Sequence, residues 1–251
     1  MAVTSKKDQL IDTALRLFSQ AGFHATGVDK ILEDAGVARM TLYHHFGSKQ
    51  DLIVAALERK SLQSLDFYRS KLTSNTDNPR YDALQMFDVL HERFSQHPDQ
   101  LHWGCVLINA LAEFNDPNDA IRQVAVQHDQ ELRSIFRNLL ERSELAGIDA
   151  LADRLKLIYD GAIISSQITN SPQPAREAAV VARALIDLLL SPRGQALRAG
   201  VEHLGHGDAI DAGLALEALA LVEAHAFPGA RDRDIVCDDN RRDRRNLENV
   251  H

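Results

Sequence analysis

The chain is poor in cysteine, in tryptophan and in long apolar runs. Its two cysteines, Cys105 and Cys237, are far apart and neither belongs to a C-x-x-C pair. That leaves no disulfide framework and no structural zinc site, and it fits a reducing compartment. No apolar run reaches the length of a membrane span, and the opening MAVTSKKDQL has no long apolar core. Membrane spanning and secretion are therefore not expected, and the cytoplasm is the default. The HExxH, P-loop, G-x-S-x-G and G-x-G-x-x-G patterns are all missing. With them go the usual marks of zinc protease, NTPase, hydrolase and dinucleotide chemistry, so neither catalysis nor a cofactor is expected.

What is present is ordinary globular material: 251 residues, 45% hydrophobic and 25% charged. That is enough for one large domain or two ordinary ones. The net charge of −8 is unevenly spread, with residues 1–50 at +1, residues 51–192 at −6 and residues 193–251 at −3. An acidic body repels a polyanion, so nucleic acid could meet only a local surface in the first fifty residues.

Apolar residues recur at helical spacing almost throughout, and no segment reads as a strand; the expected class is all-α. Ser5 with Asp8 caps a helix that runs to Gly22. Thr26 with Asp29 repeats that signal before a short helix that Gly36 ends, with Val37 plugging the turn. A third helix spans Ala38 to about Phe46, and Ser48 with Asp51 opens a long one toward Leu72. Two short helices joined by a glycine turn behind a longer one form a helix-turn-helix pattern. Further helices are expected around Leu84–Phe94, over Leu101–Phe114 as one buried element, after an Asp116-Pro117 start, over 148–167 and over 175–190. Residues 193–251 change character: a helix from Asp208 to Phe227, then an Arg- and Asp-rich end expected to be disordered.

A helix-turn-helix presents the outer face of its second helix to the major groove. Here that helix reads Ala38-Arg39-Met40-Thr41-Leu42-Tyr43-His44-His45-Phe46. Leu42, His45 and Phe46 are assigned inward, which leaves Arg39, Met40, Tyr43 and His44 outward or flanking. Arginine can grip guanine O6 and N7, while Tyr and Met can reach a thymine methyl or a phosphate. Thr26 and Ser48-Lys49, at two helix N-termini, combine free N–H groups, positive dipole ends and a lysine into a phosphate clamp.

The stretch from Thr26 to Leu52, TGVDKILEDAGVARMTLYHHFGSKQDL, resembles the tetracycline-repressor (TetR) family pattern T-V-x-x-I-x-x-x-A-G-V-[S/A]-x-x-T-x-Y-x-H-F-x-x-K-x-x-L. Thr26, Ile31, Ala35, Gly36, Val37, Thr41, Tyr43, His45, Phe46, Lys49 and Leu52 match; Gly27, Ala38 and Met40 depart from it. The resemblance implies a homodimeric bacterial transcription regulator, usually a repressor, on a palindromic operator. It also implies release by a small molecule that enters an all-helical C-terminal region, and dimerisation through the last two family helices. DNA contact is then expected from Thr26, Arg39, Met40, Thr41, Tyr43, His44 and Lys49.

The expected division is a DNA-binding domain over 1–50, a ligand-binding and dimerisation domain over 51–192, and an atypical extension over 193–251. Bulky or polar residues at otherwise apolar positions mark Phe67, Phe87, Trp103, His128 and Tyr159 as candidate effector contacts. The last two helices of the second domain pair small residues such as Gly161, Ala162, Ser165 and Ser166 with Ala178, Ala179 and Ala182, and could pair with a second copy. His102 and Cys105 lack an orienting partner for nucleophilic catalysis, and His203 and His206 lack the ligand set a metal needs. The competing class is a helical ligand-binding or interaction module whose N-terminal unit does not bind DNA.

Overall fold

A computed structural model describes residues 5–73, 77–143, 145 and 147–191. The expected helix at 208–227, the Arg-rich end, Cys237, His203 and His206 lie outside the described residues. Among the described residues there are ten α-helices, two short 3-10 turns and no strand, and no helix is long and apolar enough to cross a membrane.

The N-terminal unit is built from α1 (Lys6–Ala21), α2 (Val28–Ala35) and α3 (Arg39–His45). Local chemistry sets their ends. Ser5 Oγ accepts from Asp8 N, and α1 stops at Gly22, whose φ of 82° a side chain would not tolerate. Gly36 sits in the left-handed region with φ 62°, and the Val37 amide donates back to the Leu32 carbonyl, turning the chain into α3. Leu10, Phe18, Ile31, Val37, Leu42 and Phe46 bury together in this unit.

The next helix, α4 (Lys49–Lys71), starts on a Ser48 cap bonded to Asp51 N. Its Leu52, Ile53, Ala56 and Leu57 continue the same apolar cluster, and Arg59 on it is bonded to Asp8 and Asp12 of α1. After a 3-10 turn at Pro79–Leu84 come α5 (Gln85–Gln96), α6 (Pro98–Trp103), α7 (Val106–Glu113), α8 (Ala120–Leu140), α9 (Ile148–Thr169) and α10 (Gln173–Leu190). Neighbouring pairs run α4–α8–α9–α10–α5 and back to α4, around a second cluster centred on Tyr68, Phe87, Phe136 and Tyr159.

Four expectations change. The apolar run from Leu101 to Phe114 is two helices, because Gly104 at φ 78° and the extended Cys105 break it. The cap of α8 is Asp119, whose Oδ1 accepts from Ile121 N; Asp116-Pro117 forms a turn before it. Gly27, not Thr26, is the N-cap of α2, and the Thr26 hydroxyl instead donates to the Gly22 carbonyl at 2.6 Å. His45 is exposed, since a seven-residue helix anchored by Leu42 and Phe46 has no room for a third inward side chain on that face.

Candidate nucleic-acid interface and interior cavity

The outer face of α3 carries Arg39, Met40, Tyr43 and His44, all exposed, with Met40 at 78% and Thr41 half-buried beside them. Met40 and Tyr43 together leave apolar surface in water on this face of a short helix. Arg39 is ion-paired with Asp29 of α2 across the turn. Both groups are exposed, and a surface pair of this kind is worth about 0–1 kcal/mol, cheap to exchange for a base or phosphate.

Two residues of the expected phosphate clamp face the protein. Thr26 is buried, and Lys49 Nζ donates to the Phe23 carbonyl at 2.7 Å, where burial lowers its pKa against the pull of Glu113. The Lys49 side chain fastens the α1–α2 turn to the start of α4, and the Thr26 hydroxyl closes that turn back onto the Gly22 carbonyl. What remains for a phosphate at these places is the first-turn amides of α2, which have no side-chain cap, and those of Lys49 and Gln50 in α4, the Asp51 amide being taken by Ser48.

Behind this unit lies a cavity of about 480 Å³. Its walls come from α1 (Leu15, Ser19), α4 (Lys60, Ser64, Tyr68), α5 (Leu90, Arg93), the α6–α7 corner (Trp103 to Leu111), α8 (His128, Asp129) and α9 (Lys156, Tyr159, Gln167). Of the five expected effector contacts, Trp103, His128 and Tyr159 line it and Phe67 and Phe87 do not. Phe87 is fully buried against Phe136 and Tyr159, behind the wall, and Phe67 lies half-buried with its ring facing Arg93 and Lys71. An aromatic at helical spacing is core unless the fold leaves space before it, and here the space lies before Tyr159.

The polar groups of the cavity hold definite protonation states. The Tyr68 and Tyr159 hydroxyls are bonded to each other, and burial pushes both phenols up, Tyr159 well above the ordinary value, so they stay neutral. His128, bonded through Nδ1 to Ser61 at 2.9 Å, is lowered to about 4 by burial and by Lys156, Arg93 and Lys60, against Asp129. Lys156, with its side chain only 8% exposed, is bound by Asp129 and Asp160, and burial pushes the Asp160 carboxyl up against the pull of that lysine.

Residues 10–56 match the model for bacterial regulatory proteins of the tetR family, and residues 84–182 match the tetracyclin repressor-like C-terminal domain. The chain belongs to the TetR family. It is 27% identical over 165 residues to the uncharacterized HTH-type transcriptional regulator YerO of Bacillus subtilis, which covers 65% of this chain and 55% of YerO. It is 38% identical over 73 residues to the HTH-type transcriptional activator FasR of Mycolicibacterium smegmatis, 29% of this chain and 33% of FasR. The chain thus spans about half the length of the first of these relatives and a third of the second. A TetR-family regulator of Streptomyces coelicolor superposes with a TM-score of 0.59 at 24% identity, over 72% of this chain and 94% of that one, which shows the shared fold.

In this TetR-family chain one further group joins the two regions, and the sequence reading missed it. Glu113, the last residue of α7, accepts from the amides of Phe23 (3.0 Å) and His24 (2.8 Å) and from His24 Nδ1 (2.6 Å). A Cβ at Gly22 would sit 2.8 Å from its Oε1, so the glycine clears the way for the carboxylate as well as ending α1. A lone Glu at the end of an apolar helix gave no signal of this partner, which lies 90 positions away in the chain. Arg93 and Gln167 were missed for the same reason: the elements that close the cavity around them are distant in sequence.

Proposed function

We propose that this DNA-binding regulator works as a homodimeric cytoplasmic repressor that grips a palindromic operator with the paired outer faces of α3 and releases it when a small molecule fills the cavity. One observation carries the reading: α1 and α4, which hold the helix-turn-helix, also wall the cavity. A ligand that spreads those walls must therefore move the unit that docks on DNA. A hundredfold fall in operator affinity needs about 2.7 kcal/mol of differential ligand binding between the two states, an ordinary coupling energy. The two recognition helices must enter successive major grooves roughly 34 Å apart, so a small tilt suffices. The contacts proposed are those of Arg39, Met40, Thr41, Tyr43 and His44 with bases or phosphates, with first-turn amides near Thr26 and Lys49 on the backbone. The functional division follows the same lines, with 1–50 for DNA, 51–192 for ligand and dimer, and no assigned role for 193–251.

The second copy is proposed to dock on the outer face of α9 and α10. Leu157, Gly161, Ile164 and Ile168 form one exposed stripe on α9, and Val180 and Val181 are exposed on α10. Leu157 and Ile168 stand 73% and 79% in water. The small residues divide accordingly: Ala162, Ser166, Ala178 and Ala182 are buried between the two helices, whereas Gly161 and Ser165 face outward. Binding to a defined fragment across a salt series tests the DNA role. A log–log slope steeper than about −4 fits a dimer on several phosphates; a flat, weak response means the helical module without DNA binding.

A further inference from the structure

His128 lines the cavity with one of its ring nitrogens unsatisfied. It stands on α8 only 7% exposed, between Ala125 and Leu132, which lie a turn away on either side and line the same space. Its Nδ1 is bonded to Ser61 Oγ of α4 at 2.9 Å. Its Nε2 has no hydrogen-bond partner among the described residues, and it is not one of the buried side-chain atoms sealed off without a bond, as Gln167 Nε2 is. A ring nine-tenths buried in the cavity wall, with that nitrogen unbonded but still reachable, presents it to the cavity.

The tautomer follows from Ser61. Its hydroxyl has one proton, and the ring nitrogen is its one hydrogen-bond partner among the described residues. Donation from Ser61 makes Nδ1 the acceptor and leaves the ring proton on Nε2. Burial, with Lys156, Arg93 and Lys60, holds the ring neutral down to about 4 against Asp129, so at pH 7 it keeps that single N–H. A donor left unpaired in a dry wall is costly, and an acceptor oxygen placed there removes the cost. The charged groups of the wall are committed elsewhere. Asp129 and Asp160 hold Lys156, Asp12 holds Arg59, Asp34 holds Arg16, and Arg93 is bonded to Ser64 and Tyr68. Lys60 has interactions of its own within the chain. A charged ligand would lose its hydration here without gaining an ion that is not already engaged.

We infer that the cavity takes an uncharged carbonyl compound, mainly hydrocarbon, whose oxygen accepts from His128 Nε2 while its apolar parts lie along Ala125 and Leu132 and against the walls from α5, α7 and α9. A ketone or ester oxygen has only lone pairs to offer, which suits a lone N–H donor; an alcohol brings an O–H that needs an acceptor of its own. An ammonium would also meet the cations that disfavour a charge on His128. The inference rests on the cavity being the effector site, and it names the chemistry of the effector.

The test uses the full chain without DNA at pH 7 and two sets of nearly isosteric probes, titrated by calorimetry. One set is 2-octanone, heptanoate and 2-aminooctane; the other is 4-phenyl-2-butanone, 3-phenylpropanoate and 4-phenylbutan-2-amine. In at least one set the ketone is expected to bind about tenfold or more tightly than the acid and the amine. His128→Leu, which fills the space without an N–H, should weaken that ketone about fivefold or more, whereas His128→Gln, whose amide N–H reaches about the place of Nε2, should stay within about threefold of the parent. Ser61→Ala, at a half-buried site, lets the ring proton return to Nδ1; it should weaken the ketone severalfold and stands in where His128→Leu does not fold. An acid or amine binding as tightly as its ketone in both sets, no ketone binding, an equal loss in His128→Leu and His128→Gln, or unchanged ketone affinity in folded His128→Leu or its stand-in would overturn the assignment. Release of DNA is scored separately. Ketone preference without release supports the inference and removes the effector role; release by molecules bound with no ketone preference does the reverse.

Discussion

Replacing Glu113 by Gln probes the joint between α7 and the helix-turn-helix unit with little change of shape. The carboxylate takes two backbone amides, from Phe23 and His24, and the His24 ring. A hydrogen bond to an ionised acceptor contributes about 1.5–3 kcal/mol and a neutral one about 0.5–1.5. The exchange therefore removes about 1 kcal/mol for each backbone bond; the ring bond is left out, because the His24 side chain is 68% exposed. A loss of about 1–2 kcal/mol follows, roughly 2–8 °C in Tm for a domain of this size. Urea and thermal unfolding by circular dichroism measure it.

The acid limb gives a second readout of the same variant. Burial pushes the Glu113 carboxyl up, but the Phe23 and His24 hydrogen bonds outweigh it and hold the pKa below its ordinary value of 4.5. A carboxylate depressed in the folded state stabilises fully above its unfolded value and loses that contribution as pH falls through the folded one. In Glu113→Gln that part of the acid limb should vanish. DNA affinity, read by fluorescence anisotropy on a selected fragment, should fall severalfold, because the α1–α2 turn loses its brace. Stability within 0.3 kcal/mol of the parent, with an unchanged acid limb, would refute the tether; these figures are the resolution expected of such energies.

Three other outcomes are expected. Arg39→Ala should relax discrimination at one base pair per half-site by about 1–3 kcal/mol, whereas Asp29→Asn, which removes the acid that engages Arg39, should tighten binding to all sequences a few-fold; competition binding over single-base variants separates the two. His128 titrates near 4 in the folded chain and near 6.5 when unfolded, so the unfolded chain takes up more protons between those values. Stability should therefore decline as pH falls from 6.5 toward 4, by up to about 3 kcal/mol, and His128→Gln should flatten that limb in pH-dependent unfolding. Leu157→Glu with Ile168→Glu puts charge on the exposed α9 stripe and should leave a folded monomer in light scattering, with DNA affinity down at least about a hundredfold.

Much of the fold was legible because its signals are local. The Ser5–Asp8 and Ser48–Asp51 caps and the glycine stops at 22 and 36 act within four residues, and each sits where its chemistry demands. Thr26 carried the same letters as a cap and was recruited instead to brace a turn, because Gly27 already had the extended backbone that starts α2. The break at Gly104 was hidden because both sides of it are apolar, and periodicity alone does not distinguish one buried helix from two. The cavity was the least legible part. Arg93 reads as an ordinary surface charge on an amphipathic helix until α4 and α9 close over it, and Phe87 reads as a pocket residue until Phe136 covers its face.

Selecting bound fragments from a random DNA pool with the purified chain, and sequencing them, tests the central claim most directly. Two α3 faces on one twofold axis should enrich an inverted repeat whose half-site centres lie about 10–10.5 base pairs, or a multiple of that, apart. Enrichment of single half-sites without a mirror partner, or no enrichment over the starting pool, would contradict the account.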